Sequence, residues 1–222
     1  MRRPAAALTL AAVALLSGCG DDGDDEPTGS ASTLPPAQVS YGEAPCPPDA
    51  PPPPDQRPTT FEDAPRRCIE DGVDYRAVVT TSEGAFTIDL LEDEAPITVN
   101  NFVVLARWGW YDGDDFHRVV PGFVNQAGEH DEDPGYTIPD ENPDAVADYV
   151  PGTIAMANRG ADTGSSQWFA CIDCRGLPGP NYALFGRVTA GMDVVQRINA
   201  LGVADGPPSK PVTITSVTIE SA

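Results

Sequence analysis

Residues 116–129 read FHRVVPGFVNQAGE, and the fold prediction depends on them more than on any other segment. They begin with a short apolar run at 116–120, and similar runs recur at 152–157, 167–172 and 183–188. Short apolar runs bounded by polar residues and turns are typical of β-strands. Many short strands with only two helical patterns predict a mainly β domain, arranged as an antiparallel barrel or a sandwich.

The segments on either side show clearer periodicity. Residues 77–90 alternate apolar and polar positions across a short glycine-containing turn, which predicts a β-hairpin. Pro96 then begins a helical pattern that ends at Gly109, and a second helical pattern covers 192–201. The last apolar run changes phase near Ser216, which predicts a β-bulge in the final strand.

Residues 116–129 and two further segments resemble sequence motifs of one known protein family. MANRG at 156–160 is followed by GSSQWF at 164–169, and LPGPNYALFG occupies 177–186. In this order the three segments resemble the core motifs of the cyclophilin-type peptidyl-prolyl cis/trans isomerases. The resemblance covers about residues 75–222, and it is specific because all three motifs occur together.

The resemblance implies a closed eight-stranded antiparallel β-barrel capped by two α-helices, with an active groove on one outer face. It implies that Arg118 is the catalytic arginine. It also implies a set of substrate-binding residues around the proline ring and the neighbouring peptide groups. These are Phe123, Val124, Gln126, Ala157, Asn158, Gln167, Phe169, Leu177 and Tyr182. Proline-containing polypeptides are the expected partners, no cofactor or metal is expected, and we expect a monomer.

These residue types suit the chemistry of prolyl isomerisation. Rotation about an Xaa-Pro bond breaks amide resonance, with a barrier of about 18–20 kcal/mol. Because no bond is made or broken, the reaction needs preferential binding of the twisted amide and no nucleophile or general acid. A guanidinium at Arg118 can donate a hydrogen bond to the prolyl nitrogen once its lone pair is localised. Phe123, Phe169 and Leu177 would hold the ring in an apolar pocket.

Two other functions fit parts of the sequence. A non-catalytic module could bind proline-containing segments, although binding alone does not demand the arginine. A thiol oxidoreductase could use Cys171 and Cys174, but redox pairs of this spacing precede a helix, and no helical pattern follows here. His117 resembles an acid–base residue, yet isomerisation needs no proton transfer, so we interpret it as structural.

The N-terminus carries an export pattern. Two arginines precede an apolar run at 5–16, which is too short to span a bilayer and predicts a signal peptide over residues 1–18. Cys19 directly follows Leu-Ser-Gly and resembles the diacylated cysteine of bacterial lipoproteins. Two acyl chains give stable anchoring. The sequence therefore predicts an extracytoplasmic protein that is lipid-anchored to the bacterial cell membrane through Cys19.

Composition divides the rest of the chain. Residues 19–44 are acidic and poor in large apolar groups, which predicts a disordered, flexible tether. Residues 45–74 are rich in proline and predict an extended strap at the edge of the domain, which leaves 75–222 for the isomerase-like domain. The net charge of -21 argues against binding to nucleic acid, because phosphate contacts need clustered lysine and arginine.

Four cysteines remain once Cys19 is assigned to lipidation. They are Cys46, Cys68, Cys171 and Cys174, an even number in a chain predicted to be exported, where disulfides are stable. Four cysteines allow three pairings. The pairing of residues close in sequence, Cys46 with Cys68 and Cys171 with Cys174, is the one we favour.

Overall fold

The structure is a computed structural model that describes residues 41–48, 51–130 and 133–221. The predicted signal peptide at 1–18, Cys19 and most of the tether predicted for 19–44 lie outside the described residues.

Eight strands and two α-helices form the regular structure of the described residues. The strands are β1 (Tyr75–Thr81), β2 (Gly84–Leu90), β3 (Arg118–Val120), β4 (Val124–Ala127), β5 (Thr153–Met156), β6 (Trp168–Cys171), β7 (Leu184–Ala190) and β8 (Ile214–Ser221). The helices are α1 (Pro96–Arg107) and α2 (Met192–Asn199). All strand pairs are antiparallel, in the order β3-β4-β6-β5-β7-β2-β1-β8.

The mainly β fold with eight antiparallel strands and two helices is confirmed, but the predicted closed barrel is wrong. The sheet is an open half-barrel whose edges are β3 and β8. The segments that precede these two strands do meet, since the Phe116 N–H donates to the Val212 carbonyl (2.9 Å) and Asp115 forms an isolated bridge with Thr213. Beyond this isolated bridge, no residue of β3 pairs with β8 in the described residues, so the contact does not extend into a ladder.

The predicted hairpin over 77–90 is confirmed as β1 and β2, which pair Val79 with Phe86. The predicted bulge near Ser216 is also confirmed. Thr80 pairs with Ser216 while Thr81 pairs with Ile214, so β8 contributes one extra residue at this point.

Helix α1 begins at Pro96, as predicted, and its last turn is closed by Gly109. At a φ of +70°, Gly109 turns the chain back so that the Trp110 N–H donates to the Leu105 carbonyl (2.9 Å). At the other end, the Glu141 carboxylate accepts hydrogen bonds from the N–H groups of Ile97 (3.0 Å) and Thr98 (2.8 Å). A carboxylate at this position satisfies free N–H groups and complements the helix dipole.

The core lies between the concave face of the sheet and the two helices. Helix α1 packs against β7 and β8, and α2 packs against β2, β3 and β4. Buried aromatic rings fill the centre: the Phe102 ring stacks on Tyr111 (centroids 5.2 Å apart) and meets Trp168 edge-on (6.1 Å). Phe116 and Phe185 complete this cluster, and all five side chains are fully buried.

The proline-rich segment is fastened to the helix end by one arginine and one phenylalanine. The Arg57 guanidinium donates to the Gly109 carbonyl (3.0 Å) and lies 3.0 Å from the Asp112 carboxylate. The Phe61 ring packs against the rings of Trp108, Trp110 and Tyr136. A disulfide joins Cys46 to Cys68. In the part of the chain that the structure describes, no helix has the length and apolar character to cross a membrane.

Candidate active site

Three adjacent strands place the central side chains of the site on the outer face of the sheet. Arg118 of β3 lies opposite Gln126 of β4, and Gln126 lies opposite Phe169 of β6. Residues directly opposite each other in antiparallel strands project from the same face. The three side chains therefore form a row across the sheet, which the sequence motifs alone did not specify.

The turn between β3 and β4 completes one wall. Pro121 and Gly122 occupy its two central positions, and the Phe123 N–H donates to the Val120 carbonyl (3.0 Å). Gly122, the third residue of the turn, has a φ of +70°. A turn that requires a positive φ at this position favours glycine, which has no Cβ. The turn thereby presents Phe123 and Val124 beside Arg118.

A groove of ≈ 480 Å³ opens between these strands and the loops that follow β5 and β6. It brings together all of the predicted site residues except Gln167. Its lining consists of Arg118, Phe123, Val124, Gln126, Ala157, Asn158, Phe169, Leu177 and Tyr182, together with Gly176 and Pro178, which the sequence analysis did not single out.

The apolar part of the groove is a second hydrophobic cluster, on the opposite face of the sheet from the aromatic core. Phe169 and Val124 are buried in it, and Leu177 and Phe123 are half-buried at its rim. The Phe169 and Tyr182 rings meet edge-on with centroids 5.4 Å apart. This geometry is a favourable one for aromatic pairs, and it fixes the back wall of the groove.

The polar part is a directed chain of hydrogen bonds. Arg118 Nη1 donates to Gln126 Oε1 (3.2 Å), Gln126 Nε2 donates to Gln167 Oε1 (2.9 Å), and Gln167 Nε2 donates to Glu129 Oε1 (3.3 Å). Gln167 lines a smaller neighbouring cavity of ≈ 170 Å³ instead of the groove itself. Its contact with Gln126 nevertheless orients the amide that faces Arg118.

Asp205 is another residue that the sequence analysis missed, and it contacts Arg118 directly. Its carboxylate accepts hydrogen bonds from Arg118 Nε (2.5 Å) and Nη2 (3.2 Å). The hydrogen bond from Arg118 lowers the pKa of Asp205, so the carboxylate is ionised at neutral pH. The two residues are 87 positions apart in the sequence, and no periodicity or motif connects them.

Asn158 borders the groove, but its side chain is already engaged. Its Nδ2 donates to the Asn181 carbonyl (2.7 Å) and to the Asp140 carboxylate (3.3 Å). The bond to Asn181 joins the loop after β5 to the loop that carries Tyr182, and the bond to Asp140 joins it to the segment before β5. The Asn158 side chain thus holds two sides of the groove together.

His117 does not line the groove. Burial is the main cause that lowers its pKa, although Glu129 lies 3.6 Å away and partly opposes this effect. The imidazole is therefore largely neutral at pH 7. Nothing in this placement gives His117 contact with a bound peptide.

The second disulfide lies under the groove. Cys171 and Cys174 are bonded and almost fully buried, and they pack in the same cluster as Val124 and Phe169. A short 3-10 turn, Cys174–Gly176, follows them in place of the α-helix found beside redox pairs. Within the described range, no three His, Cys, Asp or Glu side chains are grouped so that they could hold a metal ion.

The fold and the site define a mainly β, half-barrel protein with an arginine at the rim of an apolar outer groove, and comparison with known proteins identifies its family. The sequence pattern described as "Cyclophilin type peptidyl-prolyl cis-trans isomerase/CLD" matches residues 76–219, more than half of the chain. The chain therefore belongs to the cyclophilin-type peptidyl-prolyl isomerase family.

Individual relatives agree with this assignment. The chain is 37% identical over 161 residues to the mouse "Peptidylprolyl isomerase domain and WD repeat-containing protein 1", which covers 65% of this chain and 24% of that protein. It is 38% identical over 129 residues to a "Peptidyl-prolyl cis-trans isomerase" of Helicobacter pylori, which covers 55% of this chain and 78% of that protein. The match thus spans only about a quarter of the mouse relative.

A solved structure shares the fold. It is a cyclophilin-type isomerase of Cryptosporidium parvum crystallised in the presence of the dipeptide Ala-Pro. The two structures agree with a TM-score of 0.59 at 22% sequence identity, over 66% of this chain and 99% of that one.

Proposed function

We propose that this chain catalyses cis/trans isomerisation of Xaa-Pro bonds in exported proteins and assists their folding at the cell envelope. The observation that carries the catalytic part is the position of the Arg118 guanidinium. It lies at the rim of the groove whose apolar wall contains Phe123, Phe169 and Leu177. A proline ring held against that wall would bring its nitrogen toward the guanidinium.

The arrangement favours the twisted amide over the planar one. In the planar amide the nitrogen lone pair is delocalised into the carbonyl and accepts no hydrogen bond. In the twisted amide the lone pair is localised, and Arg118 can donate to it. A charge-assisted hydrogen bond of this kind contributes about 1.5–3 kcal/mol. Since it forms only in the transition state, it accelerates the reaction and does not merely strengthen binding.

The choice of substrate and location rests on two further observations. A structural relative was crystallised with Ala-Pro, which supports a proline-containing peptide as the ligand of this groove. The export pattern and Cys19, although outside the described residues, support placement on the outer side of a membrane. Clients would then be polypeptides that fold after export.

A peptide isomerisation assay tests the catalytic proposal. We expect the purified chain to accelerate conversion of an Xaa-Pro peptide and Arg118→Ala to lower kcat/KM about 10- to 100-fold, the equivalent of one charge-assisted hydrogen bond. Arg76→Ala is the matched control, because Arg76 is exposed on β1 in an ion pair with Asp89 and does not line the groove. A wild type no faster than the uncatalysed reaction, with NMR shifts still showing peptide binding, would favour the non-catalytic binding module.

Fractionation tests the location separately. Cells producing the full chain should retain it in the membrane fraction, and Cys19→Ala should release it to the soluble extracytoplasmic fraction. Equal fractionation of the two forms would contradict anchoring at Cys19 and leave the isomerase assay unaffected.

A further inference from the structure

We infer that Asp205 is a positioning residue for the proposed isomerase reaction. Its carboxylate accepts two hydrogen bonds from one edge of the Arg118 guanidinium and so directs the remaining N–H groups toward the groove. This inference rests on the proposed function, and it adds a role for a loop between α2 and β8 that the three sequence motifs do not include.

An inventory of the guanidinium's donors supports this role. Arginine has five N–H groups in a rigid plane. Two are taken by Asp205, through Nε and Nη2, and one by Gln126, through Nη1. One N–H on Nη1 and one on Nη2 remain. Because the group is planar, fixing the Nε edge and the Gln126 contact also fixes the direction of the two remaining donors.

The loop that carries Asp205 is itself held to the sheet. The Val119 N–H, next to Arg118, donates to the Gly206 carbonyl (2.8 Å), and the Ser209 N–H donates to the Leu201 carbonyl (2.8 Å). Lys210 at the far end of the loop pairs with Glu83 (2.6 Å). Asp205 is therefore presented by a loop whose backbone is bonded to the same strand as the arginine.

The ion pair matters here for geometry more than for stability. The side chains of Arg118 and Asp205 are 32% and 69% exposed, and exposed ion pairs contribute little to folding. An arginine side chain, however, has many rotamers, and each one that points the donors elsewhere is unproductive. Restricting those rotamers before substrate arrives lowers the cost of reaching the reactive geometry.

Kinetics of Asp205→Ala test the inference. We expect kcat to fall about 3- to 5-fold and KM to change by less than about twofold. A loss of this size corresponds to one exposed ion pair whose contribution is made only in the transition state. Asp205→Asn keeps one acceptor oxygen and should recover part of the loss. Asp193→Ala is the matched control, since it also removes an exposed carboxylate paired with an arginine, on α2 beyond the groove. We expect that control to match the wild type.

A spectroscopic measurement keeps the test independent of turnover. The Arg118 Nε–H resonance should be shifted and protected from exchange in the wild type, and this signature should disappear in Asp205→Ala. Unchanged kcat in Asp205→Ala, an equal loss in Asp193→Ala, or a rise in KM alone would overturn the inference. A wild type without isomerase activity would instead contradict the proposed function, while the resonance would still report whether the pair forms.

Discussion

Trp168 and Phe169 are neighbours in β6, and they belong to two different hydrophobic clusters. Trp168 is completely buried on the concave face, where it meets the rings of Phe102 and Phe116. Phe169 is 4% exposed on the opposite face, where it meets Tyr182 in the groove. Burial alone therefore does not separate core from site in this protein. The face of the strand does.

The two clusters differ in what covers them. The concave cluster is enclosed by the sheet and by both helices. Within the described residues, neither α-helix contributes a side chain to the outer cluster, and the groove of ≈ 480 Å³ is its open side. An apolar cluster that packs against the sheet on one side and is open on the other can receive an apolar ligand group. Ligand sites are usually concave and lined mostly by apolar side chains. The comparison predicts stability effects on one face and activity effects on the other.

The largest effect is expected from Trp168→Ala. Loss of a fully buried aromatic side chain from the concave cluster should lower the free energy of unfolding by about 3–5 kcal/mol, measured by urea denaturation. Trp168→Phe is the matched control, because the indole nitrogen makes no hydrogen bond in the described residues and only volume is lost. A cost below about 1 kcal/mol for Trp168→Ala would show that the concave face is not a packed core.

A pH-dependent effect of similar size is expected at Asp114, a buried residue that is hydrogen-bonded to the backbone just after β4. Its carboxylate accepts the Gly128 N–H (2.6 Å), and burial raises the pKa of Asp114 to about 7. The folded state then binds a proton more tightly than the unfolded chain does. This contribution to stability is complete below pH 3.8 and is lost as the pH rises to about 7.

Asp114→Asn isolates this contribution, since the amide oxygen can still accept the Gly128 N–H. Between pH 4 and pH 8 the wild type should lose this contribution and the variant should not. The difference in unfolding free energy, variant minus wild type, should therefore rise by about 2–4 kcal/mol from pH 4 to pH 8. Denaturation curves at the two pH values measure the difference. If the difference in unfolding free energy between variant and wild type does not change with pH, the folded state does not raise the pKa of Asp114.

Leu177→Ala should separate the outer cluster from the concave one more finely. Leu177 is half-buried at the groove rim, and Ile219 of β8 is half-buried against the concave cluster, so truncation of Ile219 to alanine is the control for Leu177→Ala. Each truncation should cost about 1 kcal/mol of stability. Only Leu177→Ala should also lower kcat/KM, by about 5- to 10-fold, because it removes apolar contact with the proline ring. Equal activity losses in both variants would abolish the distinction between the faces.

The sequence predicted the features of the fold that depend on residues close together in the chain. The hairpin over 77–90, the helix start at Pro96 and the bulge near Ser216 each follow from local alternation or from one residue with restricted geometry. Resemblance to known motifs supplied nine of the eleven residues that line the groove. Asp205 could not be found in this way, because one carboxylate on an irregular loop carries no local signal.

The open edge of the sheet has the same physical origin. Whether β3 and β8 pair depends on how far each strand extends, and β3 begins only at Arg118 although the apolar run begins at Phe116. Strand ends are decided by hydrogen-bond partners that are distant in the sequence, such as Val212 for Phe116. Side-chain patterning contains no information about those partners.

The smallest effect is expected from removing the disulfide beneath the groove. The Ile172 and Asp173 N–H groups both donate to the Phe123 carbonyl, and the Leu177 N–H donates to the Cys174 carbonyl, so backbone bonds hold this loop without the sulfur atoms. A double serine variant at Cys171 and Cys174 should therefore keep isomerase activity within about twofold in the peptide assay, less than the loss of one charge-assisted hydrogen bond. A thiol oxidoreductase would lose its activity completely in the same variant. If the double variant instead loses as much isomerase activity as Arg118→Ala, the outer cluster depends on the Cys171–Cys174 disulfide for its structure. The concave cluster contains no such disulfide among its described residues.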